Sequence, residues 1–192
     1  VGKGPVFGVV GFVVTRGERD WPKRVVQQFQ LVAQIFANAL SRQHAEKFLE
    51  ERLQFELLLT GISARFVNLP SGQIDGAIAD AQRRVCECLG LDLSSLWQWT
   101  TDGPRLLTMT HIYRVLEGLQ LPEPVDAQEL FPWCLQQLEA GKIIALSSMA
   151  ELPAEAVRDL ENSNDFGIKS CLIFPLSIGD RPPIGALCFS TI

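Results

Sequence analysis

Reactive side chains are sparse in this sequence of 192 residues, which contains five cysteines and two histidines. Cys86 and Cys88 form a C-x-C pair. A zinc site takes four ligands at suitable spacing, and the sequence offers this pair no matching cysteine or histidine neighbours. We therefore predict that the chain binds no metal and no cofactor.

The two histidines do not complete a catalytic set either. His44 lies among charged residues that are typical of a solvated helix, and His111 alternates with Met109 and Tyr113 on a predicted strand. Neither a Ser/His/Asp triad nor a Cys/His or paired-carboxylate site can be assembled around them from the sequence. We predict that this chain has no enzyme activity of its own.

Composition excludes other classes of function. The net charge of −5 and the pI near 5.1 argue against nucleic acid as a partner, because nucleic acids are bound through basic surfaces. Apolar runs such as 7–14 are too short to span a bilayer, so we expect no membrane contact. The cysteines lie mostly in apolar surroundings, which is typical of reduced thiols in the cytoplasm. They are Cys86, Cys88, Cys134, Cys171 and Cys188.

One long helical stretch, roughly residues 21–66, dominates the first third of the chain. No glycine or proline interrupts the sequence between Pro22 and Gly61, and apolar residues recur every three or four positions. The first apolar stripe consists of Val25, Phe29, Val32, Phe36 and Leu40. The alternative is two helices joined by a bend near Ser41.

The rest of the chain alternates between shorter helices and strands. The pattern predicts helices over 74–89, 130–140 and 154–162. It predicts strands over 6–14, 95–100, 106–113, 143–146, 169–178 and 184–192. A hairpin turn is predicted at 101–104 and a loop over 117–126. On the strand 106–113, strict alternation would place Leu107, Met109, His111 and Tyr113 on one face. This order predicts an α+β fold, an antiparallel sheet backed by helices.

Four short stretches resemble the second half of a GAF domain. In that family a helix leads into a Gly-Ile/Val-x-Ser motif and an apolar strand that ends in Pro-Leu. A tight turn and an Ile/Val-Gly-x-Leu strand follow. The corresponding residues here are 152–156, 167–170, 173–176 and 184–187. Residues 8–42 resemble the last strand and last helix of a preceding GAF domain.

The resemblance implies a domain arrangement. Residues 1–20 would hold the last strand of a preceding GAF domain, 21–52 a connecting helix, and 53–192 a GAF domain without its last helix. Because the chain starts with Val1 and ends in a strand-like run, we expect a fragment of a longer protein. Tandem GAF domains joined by such helices are typical of bacterial sensor histidine kinases and related regulators.

The function implied by the resemblance is sensory or regulatory. We expect a module of a bacterial two-component signalling protein that senses a small molecule or relays a signal through a helix that forms a homodimer. The alternative is a dimerisation or scaffold module without a ligand. A third reading, an enzyme like the free methionine sulfoxide reductases of GAF fold, would need a cluster of reactive cysteines, which the scattered placement here does not suggest.

GAF domains hold small molecules in a cavity, and the resemblance implies which residues would line it. They are Trp97, Trp99, Met109, His111, Tyr113, Trp133 and Phe174. The alternative is that they only fill the core. Phytochrome-like GAF domains attach a bilin to a cysteine shortly before the Gly-Ile-x-Ser strand. Residues 156–166 contain no cysteine, so we expect no bilin.

Overall fold

The computed structural model describes residues 8–100, 106–115 and 125–192. The chain divides into two compact units, Val1–Leu57 and Leu58–Ile192. The boundary falls inside the helix α1 (Lys23–Phe66), which is one continuous helix of 44 residues. The prediction of a single long helix is therefore confirmed, and there is no break near Ser41. Among the described residues no helix has the apolar length that a membrane span requires.

The middle of α1 is a solvated helix supported by ion pairs one turn apart. Arg42 Nε lies 2.7 Å from Glu46 Oε1, and Arg52 Nε lies 3.0 Å from Glu56 Oε1. Such exposed pairs each contribute only a few tenths of a kcal/mol to helix stability. Their role is to keep a helix stable where it lacks an apolar partner.

In the first unit, the residues before α1 lie against its first turns. Phe12 stacks on Phe29 with ring centroids 4.2 Å apart, and Trp21 approaches Phe29 edge-on at 5.9 Å. The strand predicted over 6–14 is wrong for residues 8–14, which form no strand. A strand is stabilised by hydrogen bonds to a neighbouring strand, and the described residues offer this segment none. Its assignment to a preceding domain stays a prediction.

The second unit contains a six-stranded antiparallel sheet in the order β3-β2-β1-β6-β5-β4. The strands are β1 (Leu93–Trp99), β2 (Leu106–Arg114), β3 (Val125–Asp126), β4 (Ile144–Leu146), β5 (Ser170–Leu176) and β6 (Gly185–Thr191). The helices are α2 (Ile74–Leu89), α3 (Ala127–Leu130), α4 (Pro132–Glu139) and α5 (Val157–Asp165), with short 3-10 turns at Ser71–Gln73 and Met149–Glu151. The predicted α+β class is confirmed.

Strand β2 contains a bulge that the alternation pattern does not reveal. Leu96 pairs with His111, but the next residue of β1, Trp97, pairs with Met109, so Thr110 is an extra residue. One extra residue in a strand moves every side chain beyond it to the opposite face of the sheet. His111 and Tyr113 therefore do not share a face with Met109, and that prediction is wrong.

Proline and capping chemistry explain other differences from the predicted boundaries. The helix predicted over 130–140 is two helices, because Phe131 precedes Pro132 and adopts φ −136° and ψ 59° outside the helical region. The last two residues of the loop predicted over 117–126 form β3. Asp126 then caps α3, its Oδ1 accepting from the backbone N–H of Gln128 at 2.9 Å. The hairpin turn predicted at 101–104 lies outside the described residues.

A buried carboxylate holds α5 to α4. Asp159 is fully buried, and its two oxygens accept hydrogen bonds from the backbone N–H groups of Trp133 at 3.1 Å and Cys134 at 2.9 Å. These donors belong to the first turn of α4, which has no partners for them within the helix. Asn162, one turn further along α5, donates to the carbonyl of Leu130 at 2.7 Å.

Replacing Asp159 with Asn should destabilise the protein by about 1–3 kcal/mol, because the amide nitrogen would face a backbone donor and leave a buried group without a partner. Chemical denaturation monitored by circular dichroism measures this. Glu151→Gln is the matched control, since the exposed Glu151 also accepts a backbone N–H, from Ser147 at 3.2 Å. Equal effects of the two substitutions would contradict the assigned role of Asp159.

Gly185 lies where β6 approaches the central strand most closely. A Cβ at this position would collide with the carbonyl oxygen of Trp97 and lie 3.2 Å from the Cα of Gln98. We expect Gly185→Ala to reduce the free energy of unfolding by about 1–3 kcal/mol, as for other forced overpacking. Gly76→Ala, in open space on α2, should instead stabilise by up to about 1 kcal/mol. Chemical unfolding curves of the two variants and the wild type measure these free-energy differences. An unchanged stability for Gly185→Ala would refute the proposed close contact.

Candidate functional site

A cavity of about 430 Å³ lies between the sheet and the helices α3, α4 and α5. Its sheet side follows the two-residue period of the strands, so every second side chain faces inward. Leu93, Ser95 and Trp97 come from β1, and Ala186, Cys188 and Ser190 from β6. The three lining side chains of β6 are all small, which leaves room for a guest molecule beside the larger Leu93 and Trp97 of β1.

The bulge determines which residues of β2 reach this cavity. Leu107 lies before Thr110 and lines the cavity, whereas beyond the bulge the lining residues are Ile112 and Arg114. In a regular strand, Ile112 and Arg114 would point to the opposite face. One extra residue therefore adds Arg114 to the residues of β2 that line the cavity.

The helical side of the cavity is apolar and fixed in place. Phe131, Leu135 and Leu138 of the α3–α4 segment recur at helical spacing and face the sheet. Asp159 holds this segment through the backbone of Trp133 and Cys134. Further apolar residues close the side near β4, namely Leu146, Met149 and Leu152.

Polar lining residues gather at one end of the cavity. Leu93 pairs with Arg114 on one side and with Ser190 on the other, so these residues form one row across the sheet. Ser163 and Asp165, at the end of α5, also line the cavity. They lie at the same end, because β5 follows them and its first residue pairs with Thr191, the neighbour of Ser190. Asp165 is exposed, as are its fellow lining residues Gly167 and Ile192. Ser163 and Ser190 are themselves buried, at 7% and 5% exposure, and Arg114 is half-buried, so among the described residues only the rim of this end meets solvent.

The opposite end is buried. Trp97 and Leu107 are each 8% exposed there, and Ala127 is 4% exposed. The indole nitrogen of Trp97 donates to the hydroxyl of Ser95 at 2.8 Å, so its one polar group is satisfied. The cavity therefore has one apolar end and one end that carries most of its polar side chains.

Three of the five cysteines line this cavity, although they are far apart in the sequence: Cys134, Cys171 and Cys188. Burial raises the pKa of Cys171 to about 11 and that of Cys188 to about 12. Burial, and then the neighbouring carboxylate of Asp159, raises the pKa of Cys134 still further. All three are free thiols, and in the described part of the chain no group of Cys, His, Asp or Glu is arranged to hold a metal ion.

Of the residues predicted to bind a ligand, Trp97 lines the cavity. Trp99 and Met109 pack against the core cluster beside it, which contains Trp97, Leu107, Ala127 and Leu135. Trp133 packs against a second cluster that contains Cys134, Leu138, Ile144 and Ala186. These three side chains support the cavity without lining it. Their role in binding stays a prediction.

The other predicted ligand residues lie on the opposite face of the sheet. His111 points toward α2, where its Nε2 lies 3.3 Å from Asp75 Oδ1. Tyr113 alternates with the lining residues Ile112 and Arg114, and Phe174 follows the lining residue Ile173, so neither shares their face. Arg114, Ser163 and Asp165 line the cavity and were not predicted from the sequence. A lone arginine at the end of an apolar strand was the available signal for the first.

No family model and no curated protein matches this sequence. Solved structures do match. The phycocyanobilin-bound GAF domain of a cyanobacterial phytochrome is 18% identical, with a TM-score of 0.53 over 71% of this chain and 79% of that one. The GAF domain of a phosphoenolpyruvate-protein phosphotransferase from Coxiella burnetii is also 18% identical, with a TM-score of 0.53 over 72% and 78% of the two chains.

An enzyme of the same fold matches as well. The free methionine-R-sulfoxide reductase from Neisseria meningitidis, solved with its substrate, is 15% identical, with a TM-score of 0.51 over 74% of this chain and 75% of that one. Proteins of this fold thus include both a phycocyanobilin-bound domain and a reductase, so the likeness establishes the fold, and the activity must be argued from the site itself. Together with the sheet order and the cavity, these matches show that the chain has the fold of a GAF domain.

Proposed function

We propose that the second unit is a sensory or regulatory module that binds an apolar small molecule in the cavity beneath α4. The observation that carries this proposal is the cavity itself. Its volume of about 430 Å³ lies within the roughly 300–1,000 Å³ of small-molecule sites. Its lining is mainly apolar, with a few polar groups at one end, which is the usual composition of such a site.

The matched structures support a binding role. The phytochrome domain is bound to phycocyanobilin, and the reductase was solved with its substrate, so other proteins of this fold hold small molecules. This chain has no cysteine in 156–166, where the resemblance places a bilin attachment. The ligand proposed here is therefore held without a covalent bond.

The chemistry of the lining thiols supports binding without catalysis. A thiolate is the nucleophilic form of cysteine, and raised pKa values keep Cys171 and Cys188 protonated near neutral pH. The carboxylate of Asp159 works against ionisation of Cys134 as well. These thiols do come together in space, but their environment is that of inert core cysteines. We propose a non-catalytic module in a reducing, cytoplasmic setting.

The setting we propose is a bacterial two-component signalling protein, with α1 as the relay. Several large apolar side chains of α1 in the first unit are exposed, including Leu31, Ile35, Phe36, Leu40, Leu49 and Leu53. Exposed apolar surface of this kind marks an interaction site. We propose that it pairs with the same helix of a second copy, forming a homodimer. Ligand binding would then bias how the two helices pair.

Binding in the cavity can be tested with a neutral apolar dye, N-phenylnaphthylamine, whose fluorescence rises in an apolar site. We expect one dye per chain with micromolar affinity. Ala186→Leu should weaken binding at least tenfold, because Ala186 is buried and lines the cavity. The matched control is Ala145→Leu, an exposed position on β4 whose neighbours Ile144 and Leu146 face inward. Absent or equally weakened binding would favour the scaffold alternative.

The homodimer can be tested by sedimentation equilibrium at micromolar concentration. We expect the wild-type chain to be dimeric and the double variant Leu49→Gln, Leu53→Gln to dissociate. Each buried leucine is worth about 1.5–3 kcal/mol, and both side chains are exposed in the single chain. The control is Lys47→Gln, Glu51→Gln, which removes an ion pair of 3.7 Å from the same turns and no large apolar side chain. A monomeric wild type would sink the dimer proposal.

A further inference from the structure

The polar side chains that line the cavity differ in whether they already have a partner. The hydroxyl of Ser95 accepts a hydrogen bond from the indole of Trp97, and Arg114 already takes part in an interaction within the chain. Ser163 and Ser190 also line the cavity, and both are buried. Within the part of the chain that the structure describes, neither of these two hydroxyls makes a hydrogen bond. Because a buried hydroxyl without a partner is costly, we expect the cavity to hold a partner for both.

Backbone hydrogen bonds place the two serines at the same end of the cavity. The carbonyl of Ser163 accepts from the backbone N–H of Ile168 at 2.8 Å. The next residue, Lys169, donates its backbone N–H to the carbonyl of Thr191 at 2.9 Å, and Thr191 adjoins Ser190. These bonds attach the end of α5 to the end of β6. Two buried hydroxyls, one from each element, therefore line one end of the cavity.

A charged head group is not matched at this end. Arg114 already interacts within the chain, and Asp165 is exposed, where water and salt screen its charge. A charge buried without a partner is far more costly than a neutral group that accepts hydrogen bonds from hydroxyls. The opposite end, lined by Trp97 and Leu107, is apolar and suits a hydrocarbon. The lining therefore favours an uncharged molecule with one polar end.

We propose that the cavity binds uncharged carbonyl compounds with an apolar body, such as ketones and esters, whose carbonyl oxygen accepts hydrogen bonds from Ser163 and Ser190. This inference rests on the proposed sensory function and specifies its ligand class. A carbonyl oxygen has two lone pairs, and each serine hydroxyl can rotate to donate to one of them. A carbonyl group carries no proton of its own, so it needs no acceptor from the apolar surroundings.

Displacement of N-phenylnaphthylamine from the full protein chain measures the affinities of suitable probes. Methyl heptyl ketone is compared with its hydrocarbon isostere, in which a methylene group replaces the carbonyl oxygen, and with octanoate and octylamine. We expect the ketone to bind at least as tightly as the isostere, because its hydrogen bonds in the cavity offset the loss of its hydration. Octanoate and octylamine should each bind at least about tenfold more weakly than the ketone, because each would bury a charge.

The double variant Ser163→Ala, Ser190→Ala should lower the affinity of the ketone relative to the isostere by about tenfold to a hundredfold, since a buried acceptor would lose its hydrogen bonds. Cys188→Ala is the matched control. Cys188 also lines the cavity and loses one heavy atom on this substitution, but it provides no hydroxyl, so the relative affinity should stay unchanged. Binding of the isostere to each variant shows that its cavity is still formed.

An unchanged relative affinity in the double variant would overturn the carbonyl assignment and leave the cavity as a binding site. Octanoate binding as tightly as the ketone to the wild type would do the same. If neither the dye nor any of the probes binds the wild type, the sensory function fails as well. Should the double variant not fold, the single variants Ser163→Ala and Ser190→Ala decide, each with an expected loss of about threefold to tenfold in relative affinity.

Discussion

The candidate site depends on the hydrogen bonds that the carboxylate of Asp159 accepts from α4. It is fully buried and satisfied by two backbone N–H groups at the start of α4. A buried charge is tolerated only when such partners are in place. These two hydrogen bonds fix the distance of α4 from the sheet and the direction of its axis. A helix of eight residues would be only marginally stable by itself. Without it, the apolar side chains of α4 could settle onto the sheet and fill the space between them.

The same anchor also affects the ionisation of one thiol in this region, because the pKa of Cys134 is raised first by burial and then by the neighbouring carboxylate of Asp159. Cys134 donates its backbone N–H to Asp159, so its sulfur lies close to a negative charge in an apolar environment. Ionising that thiol would place a second negative charge beside the first. The residue that shapes the cavity therefore also opposes thiolate chemistry inside it. For Cys171 and Cys188 burial, and not Asp159, is the main cause of the raised pKa.

Much of the fold follows from local patterns in the sequence. The helix α1 and the helix α2 were predicted nearly to the residue, because periodic apolar residues, and for α2 the terminal Gly90, act within a few positions of the chain. The break before Pro132 follows the same local chemistry. The strand predicted over 6–14 is wrong for the described residues 8–14 for the opposite reason, since a strand depends on a partner that its own residues do not specify.

The site was harder to predict than the fold. Strict alternation placed His111 and Tyr113 beside Met109, and all three were part of the predicted ligand set. The bulge at Thr110 lies in the pairing of two strands, and a single strand's composition carries no signal of it. For the same reason Arg114 was overlooked, and the convergence of Cys134, Cys171 and Cys188 could not be seen from their spacing.

The bulge also bears on how residues are to be matched between this chain and distant proteins of the same fold. At identities of 15–18%, residues of two chains have to be matched by superimposing their structures. If the matched strand of the other protein is regular, an alignment without a gap in β2 pairs residues that lie on opposite faces of the two sheets. Ile112 and Arg114 would then be compared with outward-facing positions. A gap placed at Thr110 pairs inward-facing residues with inward-facing residues again. The placement of this one residue therefore determines whether the cavity linings of two such proteins can be compared.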